Sequence, residues 1–211
     1  MSALTYTLLA DGGSDKVLME VINWAIRRRE IRIEKQNWAD FQMVRAKVHG
    51  LSHRLKLALD LYPCDLLFVH RDAEAASLQD RLREIQEATD RLDHPYVPVI
   101  PIRMTEAWFL HDERAIRFVS GNPRGNVSLN LPSAKRVESL PNPKGILFNA
   151  FATASQASGR GLARLKSNKH QLRQTLASHM DDFSPLIGVP SFDHFLNGLD
   201  RVLTSPLFNL R

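Results

Sequence analysis

Cysteine occurs once, at Cys64, so no disulfide can close within the chain. A fold held by packing alone is expected, in a compartment that keeps thiols reduced. Beside an apolar stretch, Cys64 itself reads as a small packing residue. Long hydrophobic runs are also missing: no segment approaches the roughly 18 to 20 apolar residues that a bilayer crossing requires. The first apolar stretch, Leu4 to Ala10, follows no charged leader, which makes a cytoplasmic location without membrane association the expectation. The histidines at 49, 53, 94, 170, 179 and 194 show no zinc-ligand spacing with Cys64 or with one another. The glycine pair Gly12-Gly13 is too short for a phosphate-binding loop or a dinucleotide fingerprint, and no Gly-x-Ser-x-Gly elbow of a serine hydrolase occurs.

Acid is the scarcest commodity in one particular stretch. Between positions 121 and 180, nine basic residues (Arg124, Lys135, Arg136, Lys144, Arg160, Arg164, Lys166, Lys169 and Arg173) face Glu138 alone. Elsewhere the two signs nearly balance, so the formal net charge of +5 belongs to this middle segment. What remains is the composition of a globular protein, 44% hydrophobic and 24% charged with a mean hydropathy of -0.25. A chain of 211 residues is long enough to bury a real core.

The stretch Asp65-Leu-Leu-Phe-Val-His-Arg-Asp-Ala-Glu74 organises the rest. Its apolar run, Leu66 to Val69, predicts a strand buried on both faces of a parallel sheet. Leu4 to Ala10 is a first strand, ended by Asp11-Gly12-Gly13; Ser14 is then placed as an N-cap, with Asp15 complementing the dipole of the first turn. Leu18, Val21, Ile22 and Ala25 make one buried helical stripe. Ile31 to Trp38 reads as a second strand, Val44 to Tyr62 as a helix closed by Pro63, and Leu78 to about Asp93 as a long helix ended by His94-Pro95. Val97 to Ile102 is a fourth strand, with Pro98 and Pro101 pointing to a sheet edge. Arg103 to Leu110 forms a short helix, and Asp112 caps the next, Glu113 to Val119. Ser120 to Gly145 is rich in Gly, Pro, Asn and Ser and reads as a surface excursion outside the core. A basic helix over Leu162 to Met180 and an apolar helix over Phe192 to Leu203 complete the chain. Strands alternating with helices predict an α/β fold with a mainly parallel, four-stranded, Rossmann-like sheet. The division expected is a core over residues 1–119 and a loop-plus-helix basic extension over residues 120–211 packed on it.

Asp11, Asp72 and Glu106 follow the ends of the first, third and fourth strands, and parallel strands would bring them to one edge of the sheet. Hard cations such as Mg²⁺ take oxygen ligands and use few protein carboxylates, leaving room for substrate phosphates. A metal held so serves phosphodiester cleavage. Glu74 is a further candidate ligand, Asp15 a supporting or additional one, and His70 a proton carrier or a ligand suited to Mn²⁺. Ordinary structure accounts for the same residues: Asp and Gly are turn formers, and Asp15, Asp72 and Glu74 all suit helix N-termini.

Asp11-Gly-Gly-Ser-Asp15, His70-Arg-Asp72 and Thr105-Glu-Ala-Trp-Phe-Leu110, with Asn142-Pro-Lys-Gly-Ile-Leu147 and Ser184 to Phe192 further on, together resemble a Toprim-like family of small proteins associated with phage-defence and OLD-type nuclease systems. The resemblance implies a Toprim core binding Mg²⁺ or Mn²⁺, with Asp11 as general acid/base and His70 and Asp72 at the positions of an Asp-x-Asp ligand pair. Two positions depart from that pattern: Asp11 stands where Glu is usual, and His70 replaces the first Asp of the pair.

The basic segment adds a partner. Lys144, Arg160, Arg164, Lys166, Lys169 and Arg173 can neutralise phosphates with little sequence choice, although a solvated helix face explains such charges equally well. The function expected is therefore metal-dependent hydrolysis of nucleic-acid phosphodiesters, with Asp11, Asp72, Glu106 and His70 as the catalytic set. The competing class is a regulatory subunit with altered acids that docks on an ATPase partner. A homo-oligomer is compatible with either.

Overall fold

Leu4, Tyr6 and Leu8 alternate with Thr5 and Thr7 to form β1 (Ala3–Leu9), and β-branched and aromatic residues of this kind suit a pleated surface. The structure is a computed structural model and describes residues 3–41, 49–206 and 208. After β1 a 3₁₀ turn over Gly13–Val17 leads into α1 (Leu18–Arg27), then β2 (Arg32–Trp38) and α2 (Leu51–Leu61). The helix expected from Val44 is described from Leu51 onward; residues 44–48 lie outside the described residues. Gly50 precedes α2 with φ +76°, a conformation that glycine adopts without steric penalty.

The central strand β3 (Leu66–His70) is buried at every position. It is followed by α3 (Leu78–Thr89), shorter than its sequence pattern suggests, and by β4 (Tyr96–Val99). Ser77 caps α3, its hydroxyl accepting from the Asp80 N–H at 3.1 Å. A 3₁₀ turn over Thr105–Phe109 and α4 (Glu113–Val119) come next, and the Asp112 carboxylate accepts from the Ala115 N–H at 2.9 Å as its cap. The remainder is a 3₁₀ turn at Ala134–Ser139, α5 (Pro143–Ser155), α6 (Gly159–Ser167), α7 (Lys169–Ser178), a short turn at Ser184–Leu186 and α8 (Pro190–Leu203).

All strand pairs are parallel and the order is β2-β1-β3-β4. The fold is thus α/β, Rossmann-like, with helices on both faces. Strand alternation sorts the core in two. Leu4, Tyr6, Leu8, Leu66, Phe68, Val97 and Val99 join the α1 and α8 side chains in the larger cluster. Leu9, Leu67, Val69 and Ile100 join Leu55, Ala58 and Ile85 in the smaller one, under α2 and α3. The chain leaves β1 for the α1 face and leaves β3 for the α3 face, so the order reverses between these two neighbours.

Three sequence readings are corrected here. The excursion from Ser120 to Gly145 contributes Leu129 and Val137 to the larger core, because its turns fold back over the 3₁₀ segment around Trp108. The single basic helix is two, α6 and α7, meeting at Asn168. Ser14 is not the cap of the first turn, which starts from Gly12; the Asp15 carboxylate reaches back to the Gly12 N–H at 3.3 Å instead.

Residues 1–119 and 120–211 share the larger cluster. An aromatic seam runs from Tyr6 to Phe68 (5.3 Å between centroids), on to Phe195 (6.3 Å) and Trp108 (6.1 Å), and from Trp108 to Phe192 (5.1 Å). Edge-on and tilted pairs at these distances are favourable arrangements of ring quadrupoles. At the outer edge of the sheet, the Pro95, Val99 and Pro101 carbonyls accept from β3 and the residues after it. Odd-numbered residues therefore face the sheet, Pro98 faces outward, and its missing N–H blunts the exposed edge.

Candidate metal centre

The site is built by strand parity. On β3, Leu66 and Phe68 point to the α1 face and Leu67 and Val69 to the α2/α3 face. His70 and, just beyond the strand, Asp72 continue the first set, and Arg71 the second. On β1, Leu8 points to the α1 face and Leu9 to the other, so Asp11 follows Leu9.

Asp15, carried by the 3₁₀ turn after β1, meets His70 and Asp72 on the α1 side; one ligand atom from each lies within 4.8 Å of the others. His70 is 1% exposed and Asp15 6% exposed, while Asp72 is half-buried and faces water. His70 Nδ1 lies 2.9 Å from the Val99 carbonyl oxygen. That oxygen can only accept, so Nδ1 carries the proton and Nε2 points at the carboxylates, 3.8 Å from Asp15 and 3.6 Å from Asp72. Nε2 is buried and has no hydrogen-bond partner. One ligand atom from each of the three residues therefore faces a common point, within reach of a single bound ion. A histidine whose second nitrogen is fixed by a backbone carbonyl is the usual arrangement for a metal ligand.

The Thr105 hydroxyl lies 3.3 Å from Asp15 Oδ1 and 3.2 Å from Asp72 Oδ1 and, having one proton, tethers both only when that proton is shared or a carboxyl is protonated. Burial pushes the Asp72 carboxyl up to about 6, with Asp15 and Glu106 adding to the rise, while His70 and the Thr105 hydroxyl oppose it. Glu106, 3% exposed, is held by Arg173 of α7 at 2.5 Å, and Arg173 also donates to the Ser14 carbonyl. Three carboxylates (Asp15, Asp72 and Glu106) gather around one guanidinium (Arg173), an excess of acid that a divalent ion would offset. The group can therefore hold a metal ion.

The expected set is assembled differently. Asp11 is outside the cluster: its carboxylate lies 3.1 Å from Arg54 and 3.2 Å from Arg71 on the α2/α3 face, where parity sends it. Glu74 is exposed, held by its backbone N–H to the Arg103 carbonyl at φ +50°, and contributes nothing to the group. Glu106 is adjacent but committed to Arg173. Asp15 takes the place given to Asp11, and the parity of Leu8 and Leu9 is the signal that separates them.

Of the basic residues singled out, Arg160, Arg164 and Lys166 are exposed on α6, and Lys144 and Lys169 are half-buried. Lys169 Nζ stands 5.1 Å from the Phe148 ring centre. Arg173 is 2% exposed and cannot contact a polyanion, because its guanidinium is turned inward to Glu106. Trp108, fully buried against Phe192 and Phe195, is a packing residue. No helix among the described residues is long and apolar enough to cross a membrane.

The fold and the site together define an α/β protein with a parallel Rossmann-like sheet and an acid-imidazole cluster at its carboxyl edge. No protein-family model, curated protein or solved structure matches the chain.

Proposed function

We propose that the protein is a divalent-metal-dependent hydrolase of nucleic-acid phosphodiesters, a Toprim-like nuclease in which Asp15, His70 and Asp72 hold the ion. The observation that carries this reading is the buried, unpartnered His70 Nε2 aimed between two carboxylates. Its position supports it further: ligands of open α/β sheets bind outside the carboxyl ends of the strands where the strand order reverses. That crevice lies between β1 and β3. The imidazole favours Mn²⁺ over Mg²⁺, whose preference is for oxygen alone.

When bound, the ion supplies Lewis-acid polarisation of a phosphoryl oxygen. The chain's own groups do the rest. Thr105 orients the two carboxylates, Val99 fixes the tautomer of His70, and Asp72, the one ligand open to water, faces the substrate. Arg173 neutralises Glu106 so that it does not compete for the ion. The exposed cations of α6 and the half-buried Lys144 and Lys169 draw in the polyanion.

Nuclease assays on DNA and RNA with Mn²⁺ and with Mg²⁺ test the reading. Cleavage supported better by Mn²⁺ and lost in Asp72→Ala is expected. Salt-sensitive nucleic-acid binding without cleavage in either metal would favour a second reading, a regulatory subunit for an ATPase partner. One observation supports that alternative: Glu106, the third acid, is withheld by Arg173.

A further inference from the structure

Asp11 is the acid that the metal cluster leaves out, and its surroundings are unusual for a spare carboxylate. Arg54, from α2, reaches Asp11 Oδ1 at 3.1 Å and also donates to the Ala10 carbonyl. Arg71, the residue between His70 and Asp72, brings Nε to 3.2 Å from Asp11 Oδ2. That Nε is buried and makes no aligned hydrogen bond, so the carboxylate satisfies Arg54 but not the Nε of Arg71. Arg71 continues to Glu84 at 3.1 Å, and Glu84 to Arg81 at 2.7 Å. Three guanidiniums against two carboxylates leave an excess positive charge on this lip of the crevice. The Asp11 side chain is 39% exposed, so the seat it occupies opens to solvent.

We infer that Arg54 and Arg71 form a clamp for a phosphoryl oxyanion and that Asp11 is the carboxylate that occupies it until a phosphate arrives. A phosphate offers more acceptor oxygens than a carboxylate and a tetrahedral set of directions, which suits two guanidiniums approaching from α2 and from the residue just after β3. The clamp lies at the β1/β3 reversal, one residue from two of the proposed metal ligands but on the opposite side of β3. It stands on the function proposed above, since it presupposes a phosphoryl substrate at this edge, yet its ligand is measured with no metal present.

The test is calorimetric titration of the full chain in chelator with inorganic phosphate, and separately with an oligonucleotide that ends in hydroxyls. Asp11→Asn keeps the shape of the side chain and removes its charge, so phosphate should bind severalfold tighter. Arg54→Gln and Arg71→Gln should each weaken it tenfold or more. Arg54→Gln, on the outer helix, is the variant to rely on should Arg71→Gln fail to fold. Competition by the oligonucleotide with the same variant pattern assigns the clamp to an internal diester; binding of inorganic phosphate alone assigns it to a terminal monoester. Mn²⁺ affinity, titrated in parallel without chelator, should stay within about twofold in Asp11→Asn and Arg54→Gln, so loss of the clamp and loss of the metal site are read independently. Phosphate affinity unchanged or reduced in Asp11→Asn, or dependent on Lys169→Gln and not on Arg54→Gln, overturns the inference and leaves the network a structural ion-pair chain.

Discussion

Arg173 of α7 and Glu106 of the turn after β4 are 67 residues apart in sequence and 2.5 Å apart in space, and both are almost fully buried. This pair ties the basic extension to the acid cluster. Removing one partner strands the other charge in the interior, which costs about 3–5 kcal/mol. Arg173→Met and Glu106→Gln should each lower stability by that order in urea titrations, and the double variant should lose less than the sum of the two.

His70 should set metal affinity. His70→Ala removes the nitrogen ligand, and Mn²⁺ affinity should fall by at least a hundredfold in calorimetric titration. His70→Asp restores an oxygen donor, and should shift preference toward Mg²⁺. Unchanged Mn²⁺ affinity in His70→Ala would remove the site.

Acidity should act in opposite senses on the metal-free and metal-bound protein. The Asp72 carboxyl is raised from 3.8 to about 6 in the fold, so its bound proton stabilises the folded state. That contribution is complete below about pH 4 and is lost as pH rises through about 6, on the order of 2–3 kcal/mol in all. Urea midpoints in chelator should carry this decline, on top of whatever other groups contribute, and Asp72→Asn should remove it. With Mn²⁺ the trend reverses, because the ion competes with that proton: affinity should climb through pH 6 and level off above it.

Much of this was legible in the residues. The unbroken apolar run of β3, the alternation of β1 and the helical stripe of α1 are each a plain pattern, and each forms the element that the pattern demands. The site was legible only to the level of the strand ends. Asp11 and Asp15 are acids on either side of a glycine pair and a serine, and choosing between them takes the facing of Leu8 and Leu9, which depends on which helix covers which side. Arg173 sits in a segment almost free of acids and looks like its exposed neighbours; its partner, Glu106, is distant in sequence, so nothing local marks it as inward. The two core residues of the excursion, Leu129 and Val137, lie among prolines and glycines that give no periodicity.

Salt should separate the basic residues by role. Each exposed cation lost from α6, in Arg160→Gln, Arg164→Gln or Lys166→Gln, should weaken nucleic-acid binding about equally for all sequences and reduce the salt slope by about one. Arg173→Gln should leave that slope unchanged while lowering stability, since its charge faces Glu106.

Trp108 should be the most sensitive apolar position. Trp108→Ala opens a cavity between Phe192 and Phe195 and should lower stability by about 3–5 kcal/mol in urea titration; Trp108→Phe should lose much less.

The aromatic seam also governs the order in which the molecule can mature. Phe192 and Phe195, which cover Trp108, belong to α8, which is synthesised well after the sheet. Until α8 has been made, the sheet therefore carries one apolar flank uncovered. For the same reason the two halves have to be inherited together: neither could be lent to another protein by recombination without taking half of a shared interior with it.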